Sequence, residues 1–188
     1  MELLIQQVTT FLTEAGLDHT LRHSLAVAKE AATIAQQYRL DPNKAYVAGL
    51  LHDISAVIPN DERLLFQQNR SELIYPAEKT LPMLLHQRQS AIIAKETFGI
   101  QDGEILEAIS CHTTFRDHAT PLDLCLFVAD KIKWDRSEPV PYLTEIEAAL
   151  ENSLTSAARV YFAWGQHDFQ VLHPWARAAM YWLERQAS

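Results

Sequence analysis

Residues 40–59 read LDPNKAYVAGLLHDISAVIP, a stretch whose punctuation is helical at both ends. Asp41 offers a side-chain oxygen suited to an N-cap, and Pro42 occupies the first helical position, where its missing N–H leaves no bond unmade. Pro59 closes the segment. The run between them is expected to be one helix with His52 and Asp53 in its last third. On such a helix the two side chains point about 100° apart around the axis, so both reach one point only if it lies beside the helix. A second pair, His167 and Asp168 in WGQHDFQ, shows that the dipeptide alone assigns nothing.

Outward from this helix the apolar spacing stays helical. LRHSLAVAKEAATIAQQY, residues 21–38, sets Leu21, Leu25, Ala28, Ala32 and Ala35 on one stripe at three- and four-residue steps, with His23 near its start. Further helices are expected at 61–70, 82–98 with Gly99 as the stop, 103–112 after an Asp102 cap, 122–134, 141–164, and 174 to about 185. Residues 69–80 and 113–121 read as loops, and 135–142, with two prolines, as a connector. There are only 5 glycines, and no Asn-Gly or Asp-Gly turn separates alternating runs. The expected fold is all-α: a helical bundle forming a single domain over 1–188, with a metal core at 20–136 and C-terminal helices at 141–188.

The 188 residues, 48% of them hydrophobic, suffice for one sizeable core. A net charge of -8 argues against a nucleic-acid or acidic-membrane binder, which needs a basic footprint. No apolar run approaches the roughly 20 residues of a membrane span. Cys111 and Cys125 form no CxxC, and the start MELLIQQVTTFLTEAG lacks a signal peptide's basic opening and cleavage site. A reducing, cytoplasmic location is expected.

His23, His52, His86 and His112 each fall within or at the end of a separate expected helix, each with apolar neighbours, and Asp130 follows the apolar run LCLFVA. Imidazoles and carboxylates in such settings are costly unless paired, hydrogen-bonded or metal-bound. One centre fed by several helices accounts for all of them, and neutral imidazole with carboxylate suits iron, manganese, cobalt, nickel or zinc. The absence of a cysteine set argues against a closed structural zinc site.

The order His23, His52-Asp53, Asp130 resembles the HD superfamily of metal-dependent phosphohydrolases, and within it the YqeK-like branch. The resemblance is carried by RHSLAVAKEAATIAQQYRLDPNKAYVAGLLHDIS (22–55), LLHQRQSAIIAKETFGIQDGEILEAISCHTT (84–114) and LFVADKIKWDR (126–136). It implies an all-helical enzyme that cleaves diadenosine tetraphosphate symmetrically to two ADP, and a homodimer is common in that branch. By position, His23, His52, Asp53 and Asp130 would hold the metal, with iron first and manganese or cobalt as alternatives, as one ion or two. His86 and His112 would lie across the cavity as catalytic or phosphate-contacting groups. The tail FQVLHPWARAAMYW resembles the segment near the nucleotide, which makes Val171, Leu172, His173 and Trp175 candidates for base and ribose contacts, unless it is simply a packed C-terminal helix.

The chain departs from the branch at several positions. Thr20 stands where an arginine is usual, with Arg22 close by, and Ala56 stands where a lysine is usual. Phe115 replaces a glycine, and DKIKWDR replaces a DYIEPGR-like stretch. These changes fall on phosphate and pocket positions rather than on the metal set. Arg136 is the first candidate for phosphate charge, followed by Arg116, Arg88 and Arg22, because guanidinium forks onto phosphate oxygens.

The expected chemistry has Asp53 both ligating and orienting, with His86 or His112 meeting the reacting phosphate or the leaving oxygen. A phosphohydrolase acting on another nucleotide, or a silent nucleotide-binding module, would fit the same metal set. Cyclic-dinucleotide hydrolysis is disfavoured by the lack of a Gly-Tyr-Pro motif.

Overall fold

In the computed structural model, residues 1–135 and 138–186 are described. Their regular elements are all helical. In chain order these are α1 (Glu2–Glu14), α2 (Asp18–Gln37), α3 (Pro42–Leu51), α4 (Arg63–Gln68), α5 (Pro76–Thr80), α6 (His86–Glu96), α7 (Gly103–Cys111), α8 (Pro121–Ile132), α9 (Leu143–Leu150), α10 (Leu154–Gly165) and α11 (Pro174–Arg185). Short 3-10 turns at Ile54–Val57 and Pro82–Leu85 precede α4 and α6. No helix among the described residues is long and apolar enough to cross a membrane.

Several expected boundaries move, each for a local reason. The helix expected over 42–59 stops at Leu51 and resumes as a 3-10 turn at Ile54. His52 and Asp53 therefore occupy the break itself, which frees their side chains from the fixed 100° offset. The helix expected over 141–164 divides at Ser153, which turns extended and accepts a hydrogen bond from Ser156 N as the cap of α10. The segment expected as a helix from residue 82 opens with a 3-10 turn, so that His86 begins α6. Residues 76–80, expected as loop, form the short α5, and α1 is an additional helix that buries Val8 and Leu12.

One hydrophobic cluster runs from Val8 to Leu183, with α8 at its centre. From Leu122 to Ala129 every residue of α8 is buried, so this helix is packed on all sides. α2 and α3 make the most extensive pairing, and Gly49 explains how close they come. A Cβ added there would lie 2.7 Å from Ala28 Cα and 2.8 Å from Ala28 N, both backbone atoms of α2. Gly49→Ala is therefore expected to push the helices apart at a cost of roughly 1–3 kcal/mol or more, read as a lowered urea midpoint. His23 on α2 and His52 after α3 would separate with them, so metal affinity should fall in the same variant.

Phe115 also differs from its expectation. It keeps a left-handed backbone, φ 60°, and its ring is fully buried, 4.6 Å from the Phe127 ring centroid. The side chain turns into the core, so this departure alters packing and not the lining of the site.

Candidate metal centre

Helix ends build the site. His52 follows α3, His86 follows the turn Pro82–Leu85, and His112 follows α7. Each ring places Nδ1 against the carbonyl three residues earlier: Gly49 at 2.7 Å, Met83 at 2.6 Å and Ile109 at 2.8 Å. Gly49 O lies in the last turn of α3, where carbonyls lack an intrahelical amide partner and the His52 ring N–H supplies one; Met83 O and Ile109 O accept both the backbone N–H and the ring of His86 and His112. Nδ1 of each ring thereby carries a proton, and each Nε2 is the atom turned to the centre.

The Nε2 atoms and two carboxylates converge in two groups. In the first, His23 Nε2 lies 3.2 Å from His52 Nε2 and 3.2 Å from Asp130 Oδ1, and His52 Nε2 lies 3.4 Å from that same oxygen. In the second, His86 Nε2 and His112 Nε2 are 3.0 Å apart and lie 3.3 and 3.4 Å from Asp53 Oδ1. Asp53 joins the groups, because its Oδ2 lies 3.4 Å from His52 Nε2 and 3.9 Å from His23 Nε2. In both His23/His52/Asp130 and His52/Asp53/His112, the ligand atoms fall within 4.8 Å of one another.

The donor set fits a divalent transition ion. With Nδ1 protonated on both His86 and His112, two acceptor nitrogens lie 3.0 Å apart, an arrangement that a cation held by both would stabilise. Nitrogen and carboxylate donors without thiolate suit borderline metals, and both cysteines are buried free thiols outside these groups.

The protonation pattern is uneven: His52 is held protonated by its carboxylate neighbours, so a metal ion would displace its Nε2 proton, whereas His86 and His112 are neutral. Burial opposes a charge on His52, but the carboxylates of Asp53 and Asp130 push its pKa up to about 10. Burial pushes His86 down to about 4 and also lowers His112, so both rings are neutral near pH 7. Burial would raise Asp53 and Asp130, but the surrounding cationic partners win: His52 first for Asp53, and Lys131 first for Asp130. Both carboxyls are held well below the usual range.

Gln87, fully buried, accepts from the amides of Thr113 and Thr114 at 3.0 Å and so fixes the turn that carries His112. Thr113 Oγ1 lies 3.0 Å from His86 Nε2. Beside this turn lies a cavity of about 380 Å³, lined by Met83, Thr113, Tyr161, Phe169, Val171 and His173 among others. Its size is that of a small-molecule site. On the His23 side, Arg22 and His19 border an open groove with Trp134.

The remaining sequence candidates divide. Val171 and His173 reach the cavity, whereas Leu172 is exposed and does not line it. The Trp175 indole N–H donates to Tyr75 Oη, and His173 faces the buried Glu78, contacts that dock the C-terminal segment on residues 75–78. Thr20 is half-buried on the first turn of α2 but joins neither ligand group. Arg88 is engaged by Glu78 and Arg116 by Asp123 and Glu107, so neither is free for phosphate. Arg136 lies outside the described residues. His167 and Asp168 are exposed and belong to neither ligand group. Sequence reasoning missed Gln87, Thr113 and Gly49, which carry no chemical signature of their own.

Residues 20–135 match the family model described as HD domain. Over 150 residues the chain is 39% identical to an uncharacterized protein in the pepC 5′ region of Lactococcus lactis subsp. cremoris, covering 79% of this chain and 77% of that one. Over 139 residues it is 33% identical to a symmetrical bis(5′-nucleosyl)-tetraphosphatase of Halalkalibacterium halodurans, covering 72% and 70%. A crystal structure from Clostridium acetobutylicum, described as a predicted HD superfamily hydrolase involved in NAD metabolism, aligns with a TM-score of 0.87 at 26% identity over 96% of this chain and 97% of that one. The helical bundle, the ordered His and Asp ligands and these matches agree: the chain belongs to the HD domain family.

Proposed function

We propose that the chain is a metal-dependent phosphohydrolase that cleaves dinucleoside tetraphosphates symmetrically, turning diadenosine tetraphosphate into two ADP. The observation that carries this reading is the two-sided cluster about Asp53, with a nucleoside-sized cavity opening beside its His86 face. The name of the Halalkalibacterium relative supplies the substrate class.

In this reading His23, His52, Asp53 and Asp130 would hold one ion, and His86 and His112, with Asp53, would hold a second. Iron would suit this nitrogen and carboxylate set, with manganese or cobalt compatible with the same donors. Bound there, they would supply Lewis acidity and lower the pKa of a water near the phosphorus. Hydrolysis adds the elements of water across the central P–O–P bridge, so each half leaves as a nucleoside diphosphate.

The protein's own part is placement. Asp53 fixes the spacing between the two groups, and Asp130 turns one oxygen inward toward His23 and His52. Thr113, held by Gln87, keeps its hydroxyl on His86 at the cavity's edge. A neutral His86 accepts rather than donates at Nε2, which favours a ligand or phosphate-orienting role over proton donation to the leaving oxygen. Val171, Phe169 and Tyr161 give the base an apolar and aromatic wall.

The test is product analysis: protein loaded with iron or manganese, diadenosine tetraphosphate added, nucleotides separated by ion exchange. ADP as the sole product is expected. A mixture of ATP and AMP would overturn symmetrical cleavage, and retained metal without turnover would point to another nucleotide or a silent binding module.

A further inference from the structure

Glu78 on α5 is a fully buried carboxylate. Its oxygens accept the Tyr75 amide N–H at 2.8 Å and the Arg88 guanidinium at 2.8 to 3.2 Å. The third partner is His173, also buried, whose Nε2 lies 3.5 Å from Glu78 Oε1. Nδ1 of that ring accepts the Trp175 N–H at 3.1 Å, so the ring proton sits on Nε2 and faces the carboxylate. Among the described residues no other group meets this Nε2. Burial would raise the Glu78 carboxyl, but His173 first, then Tyr75 and Arg88, hold it below the usual range. Stability alone does not call for such a charge, because a well-packed apolar side chain of similar volume is often as stable or more so.

What the charge joins points to its use. The cavity beside Thr113 lies between two segments: Leu81, Met83 and Leu84, which continue from α5, and Phe169, Val171 and His173 at the entry to α11. Glu78 stands behind these walls, at the place where His173 brings them together. Arg88 adds a third element, since it sits two residues beyond His86 on α6. The Trp175 indole N–H, donating to Tyr75 Oη at 3.1 Å, closes the same junction.

We propose that Glu78 is a positioning residue for the nucleoside: by holding His173 against Arg88 and the Tyr75 amide, it fixes the width of the cavity and so the affinity for base and ribose, while touching neither substrate nor metal. The proposal rests on the phosphohydrolase reading above and deepens it, by separating what seats the nucleoside from what holds the phosphates.

The experiment compares manganese-loaded wild type, E78Q and Y75F in metal content, in kcat and KM for diadenosine tetraphosphate, and in calorimetric binding of ADP and of pyrophosphate. E78Q keeps the size of the side chain and removes its charge. It is expected to retain its manganese and its kcat, to raise KM roughly tenfold and to bind ADP about tenfold more weakly, the scale of one lost charged hydrogen bond. Pyrophosphate, which has no nucleoside to seat, should bind as it does to wild type. Y75F removes only the hydroxyl that accepts from Trp175; it should show the same split at about two- to fivefold, and it carries the test should E78Q fail to fold. Unchanged ADP binding in the folded variants would overturn the proposal. So would an equal loss for ADP and pyrophosphate, or a loss of manganese, because Glu78 would then support the whole site and not the cavity. Weaker ADP binding in E78Q, with diadenosine tetraphosphate left intact by wild type, would uphold Glu78 and overturn the substrate reading alone.

Discussion

Replacing Asp53 by alanine is expected to abolish metal-dependent turnover while leaving the helices in place. Asp53 is the hinge of the cluster, with Oδ2 toward His52 and His23 and Oδ1 toward His86 and His112. Its side chain is 23% exposed and belongs to no core cluster, so its removal leaves no apolar void. Groups that merely support a metal ligand cost about 10–100-fold when removed, and Asp53, proposed to serve both ions, should exceed that range. Asp53→Asn sharpens the test, because an amide keeps one acceptor oxygen and replaces the other with donors. It should retain metal on one side of the cluster and lose it on the other, read as about half the wild-type metal content by elemental analysis. His167→Ala is the matched control: it alters an exposed His-Asp pair outside both ligand groups and should leave content and turnover unchanged. Wild-type metal content in Asp53→Asn would mean that the carboxylate does not bridge.

The cluster was legible in sequence because its members break a strong background rule. An imidazole beside LL or MLL, or a carboxylate behind LCLFVA, is expensive in a helical core, and a recurring expense implies a common use. Helix type was legible from spacing, but the break at Leu51 was not, because the one poor helix former near it, Gly49, lies within α3 and the residues at the break itself carry no stop signal. The break follows from tertiary demand: His52 and Asp53 reach one centre only when the backbone turns between them, and the His52 ring then closes the helix end on Gly49 O. Gly49 reads as an unremarkable small residue until α2 lies against it. Arg88 and Arg116 look like phosphate ligands in isolation, and only the fold brings Glu78 and Asp123 to them.

Phe115 supports the second large effect, one in which the usual ranking of substitutions reverses. Its ring is fully buried against Phe127 at 4.6 Å, Phe162 at 6.1 Å and Trp182 at 6.3 Å, so truncation to alanine should cost about 3–5 kcal/mol in urea unfolding. Glycine removes one carbon more and frees the unfolded chain, and at an ordinary position it would be worse than alanine. Here φ is 60°, where a Cβ carries a steric penalty of roughly 1–2 kcal/mol that glycine escapes. Phe115→Gly is therefore expected to be as stable as Phe115→Ala or more so, although it deletes more of the core. Both variants loosen the turn that holds Thr113 and His112, because Phe115 N donates to Cys111 O at the base of that turn and the ring is its anchor. Metal affinity should then fall in step with stability, less in the glycine variant than in the alanine one. If alanine were clearly the more stable of the two, the left-handed backbone at 115 would not be a constraint, and the aromatic ring alone would set this turn.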